Sequence, residues 1–178
     1  MTGGERPSPP SEPPHRAHAP HARNEEHIQF AVSRVLDALG LVWAHPPNEA
    51  LQRGDQTSQA QRRASQAYGA QQVGLGVKAG LPDVLIFSRP PVGSRFDGCR
   101  GVALELKTVS GRMSPAQERW AASLRSEGWH VVTTYGLDHA LAAIAGCGWD
   151  VKSALERLAG VGWIVDVAGD RLVRGRKG

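Results

Sequence analysis

Within the apolar run Val102-Ala103-Leu104-Glu105-Leu106-Lys107, a carboxylate and an ammonium stand two residues apart. Side chains of an extended chain alternate sides, so Glu105 and Lys107 share one face while Val102, Leu104 and Leu106 share the other. Charges brought to a domain's centre are costly unless they are paired or bound to a cation. The plain alternative is an ion pair on an exposed sheet edge, worth little to stability. Asp83 bears on this choice. It opens a second short β-prone run, Asp83-Val84-Leu85-Ile86-Phe87, directly after Gly80-Leu81-Pro82. If the two runs pair as strands, Asp83 and Glu105 converge, and converging carboxylates need a cation between them. Hard oxygen ligands select Mg²⁺, with Mn²⁺ as a substitute. Pro82 has a simpler role as well, fixing φ where the strand begins.

The elements that would hold these residues can be read from pattern. Asn24 is a good N-cap, Glu25 and Glu26 follow in the first turn, and Ile28, Ala31, Val32, Val35, Leu36 and Leu39 form one apolar stripe. Gly40 ends that helix. Residues 83–87 read as a strand buried on both faces, Pro90, Pro91, Gly93 and Gly98 as a turn region, and 101–107 as the partner strand. A helix starts at Ser114 with Pro115 in its first position and buries Trp120, Ala121 and Leu124. Ser114-Pro115-Ala116-Gln117 also has the form of a capping box. Residues 129–134 read as a third strand and 137–145 as a helix, giving the order α, β, β, α, β, α: a mixed sheet flanked by helices. Beyond Trp149 the pattern predicts a helix over 151–158, a hairpin from 163–167 and 171–173, and a basic end at 174–177.

Two stretches lack such a pattern. Residues 1–23, rich in Pro, Ala, Ser and His, read as a disordered tail in which His15, His18 and His21 recur by chance. Residues 44–81 read as a long, basic, partly mobile excursion, with a Gln/Ala/Arg-rich stretch from Arg53 to Tyr68 and glycines at 69, 74, 76 and 80. The domain expected is therefore 24–146, followed by an extension over 147–178.

Bulk properties narrow the partners. The chain has 178 residues, enough for one domain with a real core, and 21 Lys+Arg against 17 Asp+Glu give a formal charge of +4. That excess suits a polyanion without proving one. Cys99 and Cys147 are too few for a disulfide framework and read as reduced thiols. With no apolar leader and no run near the ~20 residues that span a bilayer, the expectation is a soluble, cytoplasmic protein with no membrane partner.

Pro82-Asp83 followed by Glu105-Leu106-Lys107 is the PD-(D/E)xK pattern of restriction-like nucleases. The wider context resembles the VRR-NUC family in that superfamily. The resemblance rests on Gly76-Val77-Lys78-Ala79-Gly80-Leu81-Pro82-Asp83, Glu105-Leu106-Lys107-Thr108, and Gly111-Arg112-Met113-Ser114-Pro115-Ala116-Gln117 with Trp120 one turn on. It also rests on Glu25, Ile28 and Gln29 in the opening helix, and on Pro47-Asn48-Glu49, similar to phage-type members. It covers roughly residues 24–136. The bare triplet is weak, whereas the ordered set of segments is specific.

The resemblance implies an α/β fold, a restriction-endonuclease-like mixed central sheet flanked by helices with an αβββαβ-type core. It implies that Asp83, Glu105 and the Leu106 carbonyl hold Mg²⁺, while Lys107 orients or helps deprotonate the attacking water and screens the developing charge. Glu25 would act through the metal's outer shell or a second metal, and Gln117 would serve the site as well as its helix cap. Lys78 and Arg112 on Gly-rich loops are the best candidates for the DNA backbone, with Arg53, Arg62, Arg63 and Arg119 as further ones. The activity implied is metal-dependent DNA cleavage, with junction or flap DNA as substrate, a homodimer as the assembly and a phage or bacterial origin. The alternative from another class is a catalytically silent DNA-binding module with the same fold. The excursion before Lys78 and the tail beyond Gly146 depart from the family pattern.

Overall fold

The structure, a computed structural model, describes residues 20–46, 71, 74, 78–166, 168 and 170–175, with side chains from Glu25 onward. Helix α1 spans Pro20–Leu39, so it begins before the expected cap, and Asn24 lies inside it. Pro20 is preorganised for a first helical position, which accounts for the earlier start. Gly40 ends the helix at φ +70, as its lack of a Cβ permits.

A two-residue strand, β1 (Trp43–Ala44), follows α1. Pattern reading missed it, because two residues carry no periodicity. Then come β2 (Val84–Ile86), β3 (Val102–Lys107), α2 (Pro115–Ser126), β4 (His130–Tyr135) and α3 (Gly136–Gly146). The sheet order is β1-β2-β3-β4, with β1/β2 and β2/β3 antiparallel and β3/β4 parallel. The parallel pair needs a crossover, which α2 supplies. With β1 included, the order α1, β1, β2, β3, α2, β4 is the expected αβββαβ succession.

β3 is an interior strand, and every one of its residues is buried. On one face Val102, Leu104 and Leu106 pack with Ile28, Val32, Val35 and Leu36 of α1 and Leu137 and Ile144 of α3. On the other, Ala103 packs with Val131 of β4 and Ala121 of α2, backed by Leu85, Met113 and Leu124. Apolar burial against helices on both sides is what holds the charged pair of β3 at the centre of the sheet. Trp120 departs from expectation: it is half-buried and lines a cavity of about 250 Å³ with Ala79, Ala116 and Arg119.

The C-terminal segment contributes to the same core. Helix α4 (Val151–Gly160) and strands β5 (Trp163–Asp166) and β6 (Arg171–Arg174) place Val151, Ala154, Leu158 and Leu172 in the α1 cluster. Polar caps fasten it further. Arg157 donates from Nη2 to Ala38 O at 2.8 Å, satisfying a carbonyl near the end of α1. Tyr135 gives α3 no side-chain cap, and Asp170 in the hairpin turn accepts from Leu137 N–H at 2.7 Å instead.

Candidate active site

The β2–β3 register pairs Val84 with Leu104, so Asp83, one residue earlier, stands opposite Glu105. Directly opposed residues on antiparallel strands bring their Cβ atoms to roughly 4.5–5.5 Å. Asp83 Oδ2 accepts the Leu106 N–H at 2.8 Å, which ties the start of β2 to β3.

Glu105 is 1 % exposed and its two oxygens differ. Oε1 receives Lys107 Nζ at 2.5 Å and also the Gln117 side-chain nitrogen. Oε2 is buried and has no hydrogen-bond partner among the described residues. The Glu105–Lys107 pair thus forms, but in the interior: the side chains are 1 % and 10 % exposed. An exposed-edge ion pair is excluded. Gly111 shields the ammonium stem, since a Cβ added there would meet Lys107 Cβ at 3.1 Å.

Ser114 caps α2 and Gln117 completes the capping box, accepting Ser114 N–H through Oε1 at 2.8 Å. With its oxygen engaged, its nitrogen is left to reach Glu105. Gln117 thus closes the helix start and contacts Glu105 at the same time. Glu25 approaches from α1, where its Oε1 accepts from Thr108 N–H at 3.5 Å.

Burial dominates the electrostatics of the two acids, and like charge adds to it. Desolvation by burial, then the Asp83 charge, pushes Glu105 up to about 7 despite Lys107. Burial likewise raises Asp83, against the Leu106 N–H and Lys107, with Glu25 adding to the rise. For Lys107, burial acts downward, but the hydrogen bond and charge of Glu105, with Asp83 and Glu25, hold it above its usual value. The charges of three carboxylates act on the one Lys107 ammonium, and Glu105 contacts it directly.

These residues fit a divalent cation. The fit rests on Glu105 Oε2, without a hydrogen-bond partner among the described residues, and on Asp83 opposite it, a second acid with a raised pKa. Among the described residues no group of three or more His, Cys, Asp or Glu forms a side-chain cage. Mg²⁺ needs none, because it keeps several waters and binds through one or two carboxylates plus substrate phosphate.

The expected DNA contacts divide. Lys78 is exposed two residues before Gly80, where a Cβ would meet Ala116 Cβ at 2.7 Å, so its loop packs on the start of α2. Arg112 is exposed next to Gly111. Both cations therefore sit beside loops that touch the site. Arg119 is exposed on α2, while Arg53, Arg62, Arg63 and the Pro47-Asn48-Glu49 segment lie outside the described residues.

His45 was not anticipated. Its Nδ1 lies 2.7 Å from the Asp83 carbonyl oxygen. A carbonyl only accepts, so a neutral His45 carries its proton on Nδ1 and turns Nε2 outward. Its position just after β1, a strand too short to show in pattern, explains why sequence reading passed over it.

No family model matches the chain, and no curated protein matches it. Among solved structures, a chain described as "VRR_NUC domain protein" is similar over 68 % of this chain and 84 % of that one, at 21 % identity and TM-score 0.47. An overlap that loose carries no inference about chemistry.

Proposed function

We propose that this chain is a divalent-metal-dependent nuclease of the VRR-NUC type that hydrolyses phosphodiester bonds in DNA. The observation that carries the reading is the division of Glu105: Lys107 and Gln117 hold Oε1, while the buried Oε2 has no hydrogen-bond partner among the described residues. Asp83 and Glu105, with the Leu106 carbonyl, would hold Mg²⁺ or Mn²⁺. A cation there neutralises a phosphate oxygen and eases ionisation of the attacking water.

The side chains divide the remaining work. Glu105 keeps Lys107 protonated, which suits it to orient water and screen the charge gathering on the phosphorus oxygens rather than to take a proton. Gln117 fixes the Glu105 rotamer, and the Leu106 N–H fixes Asp83. Glu25 adds negative charge that favours a cation over an empty site. Lys78 and Arg112 supply backbone contacts that carry no base specificity. Branched or flap DNA, worked on by a homodimer, is the substrate proposed from the motif resemblance.

The test incubates wild type and Lys107→Ala with a labelled four-way junction, a 5′ flap and a blunt duplex in Mg²⁺, Mn²⁺ or EDTA. Cleavage by wild type with either metal, lost in EDTA and in Lys107→Ala, is expected. Binding to all three without cleavage, unchanged by Lys107→Ala, would replace the enzyme with a binding module.

A further inference from the structure

A cluster on α1 and the C-terminal hairpin has no part in the chemistry described above. Phe30 is 46 % exposed on α1, and its ring meets Trp163 of β5 edge-to-face at 5.7 Å. Two arginines flank the rings. Arg34 lies 6.0 Å from the Phe30 centroid and 5.9 Å from that of Trp163, and Arg174 lies 4.5 Å from Trp163. Cation–ring contacts of this kind occur about once per 70–80 residues, so three on two rings are a concentration. Arg34 pairs with Asp37 through Nη1 at 3.7 Å, and its buried Nε has no hydrogen-bond partner among the described residues.

The cluster adjoins the site. Phe30, Glu26, Gln29 and Ser33 line a cavity of about 300 Å³ together with His45, whose Nδ1 contacts the Asp83 carbonyl. His45 thus joins this cavity to the Asp83 main chain, and the exposed Phe30 ring on the cavity's lining is backed by a second ring and two guanidinium groups. Every base offers a π-face, and cationic grooves with exposed aromatics bind single strands without regard to sequence. Duplex bases are stacked on one another and cannot use such a ring. We infer that Phe30, backed by Trp163, Arg34 and Arg174, is a stacking site for an unpaired base of the strand leaving the cleavage centre. This rests on the nuclease reading and narrows its substrate to DNA with a single-stranded portion.

The competing role is structural, the rings merely pinning the hairpin to α1. Phe30→Leu keeps apolar bulk and removes the ring face, Phe30→Tyr keeps the ring, and Arg174→Gln removes a cation. Affinities for a labelled oligothymidine, a flap and a blunt duplex are measured in EDTA, and melting temperatures are recorded alongside. Phe30→Leu is expected to weaken oligothymidine and flap binding roughly fivefold or more. Phe30→Tyr restores it, Arg174→Gln weakens the same two ligands, and blunt duplex binding stays near wild type. Equal losses on flap and duplex, no loss on either, or failure of Phe30→Tyr to restore overturns the stacking site. If wild type cuts nothing in Mg²⁺ or Mn²⁺ yet shows ring-dependent single-strand binding, the nuclease reading falls and the stacking site stands. If wild type cuts and Phe30→Leu binds flap normally, only the stacking site falls.

Discussion

Gln117 links the start of α2 to the buried carboxylate of Glu105: its side-chain oxygen accepts Ser114 N–H at 2.8 Å while its nitrogen donates to Glu105 Oε1. One residue thus closes a helix end and fixes the rotamer of an acid at the sheet's centre. Gln117→Glu separates these roles. It keeps the acceptor for Ser114 but turns a carboxylate oxygen toward Glu105. Cleavage should fall at least about tenfold while Gln117→Ala, which loses both roles, falls further and also loses about 1 kcal/mol of cap stability. Equal activity in Gln117→Glu and wild type would remove Gln117 from the site.

Asp83→Asn and Glu105→Gln should each reduce cleavage by at least about a hundredfold, because each removes a charged cation ligand. DNA affinity in EDTA should stay within a few-fold, since phosphate contacts come from elsewhere. Gel-based cleavage and fluorescence anisotropy on the same preparations check both halves. A variant that cuts at wild-type rate shows the assignment to be wrong.

Stability should depend on pH with a definite sign. Glu105 has its folded pKa raised to about 7 from an ordinary 4.5, mainly by burial, and Asp83 is raised too. The folded chain then retains protons that the unfolded chain releases, so these groups' contribution falls as pH rises from about 4.5 to 7. His130, lowered by burial and by Arg125 and Arg95, acts oppositely on the acid side of its usual value. The difference between wild type and Glu105→Gln isolates the carboxylate. In EDTA, Glu105→Gln should melt higher than wild type at pH 8, with the gap closing at pH 5. Mg²⁺ or Mn²⁺ at pH 8 should raise the wild-type melting temperature and leave Glu105→Gln nearly unmoved. A gap that widens toward pH 5 would contradict this.

Gly80 is a point where backbone decides the site. It sits at φ +83, and a Cβ would lie 2.7 Å from Ala116 Cβ and 2.9 Å from Gln117 N. Gly80→Ala should cost at least about 1–2 kcal/mol from the left-handed conformation alone and push the start of α2 off Glu105. Lower melting and reduced cleavage together are expected. Unchanged cleavage would mean that α2 does not position Gln117.

Asp170 tests whether the C-terminal hairpin is part of the folding unit. Asp170→Ala removes the acceptor for Leu137 N–H and should cost about 1 kcal/mol, or roughly 2–4 °C in melting temperature. Below the melting transition, metal-dependent cleavage of the flap should be retained. A hairpin that only decorates the surface would show no thermal change.

Much of the fold was written in local pattern. The apolar stripe of α1, the short strands and the Ser114-Pro115 helix start appear near where they were expected, because each satisfies its own period or cap within a few residues. What pattern missed was β1, too short to have a period, and the start of α1, where Pro20 extended the helix past Asn24.

By itself the sequence determined that Glu105 and Lys107 share one face of a strand and that Asp83 opens another, since alternation follows from chain geometry alone. Only tertiary structure decided that β3 is interior, so that the pair is buried rather than an edge ion pair, and that one Glu105 oxygen is held while the other has no hydrogen-bond partner among the described residues. It also decided the contact of His45 with Asp83 and the edge-to-face contact of Trp163 with Phe30, joining residues far apart in the chain. Such meetings depend on which surfaces the apolar core brings together, and no local spacing encodes that.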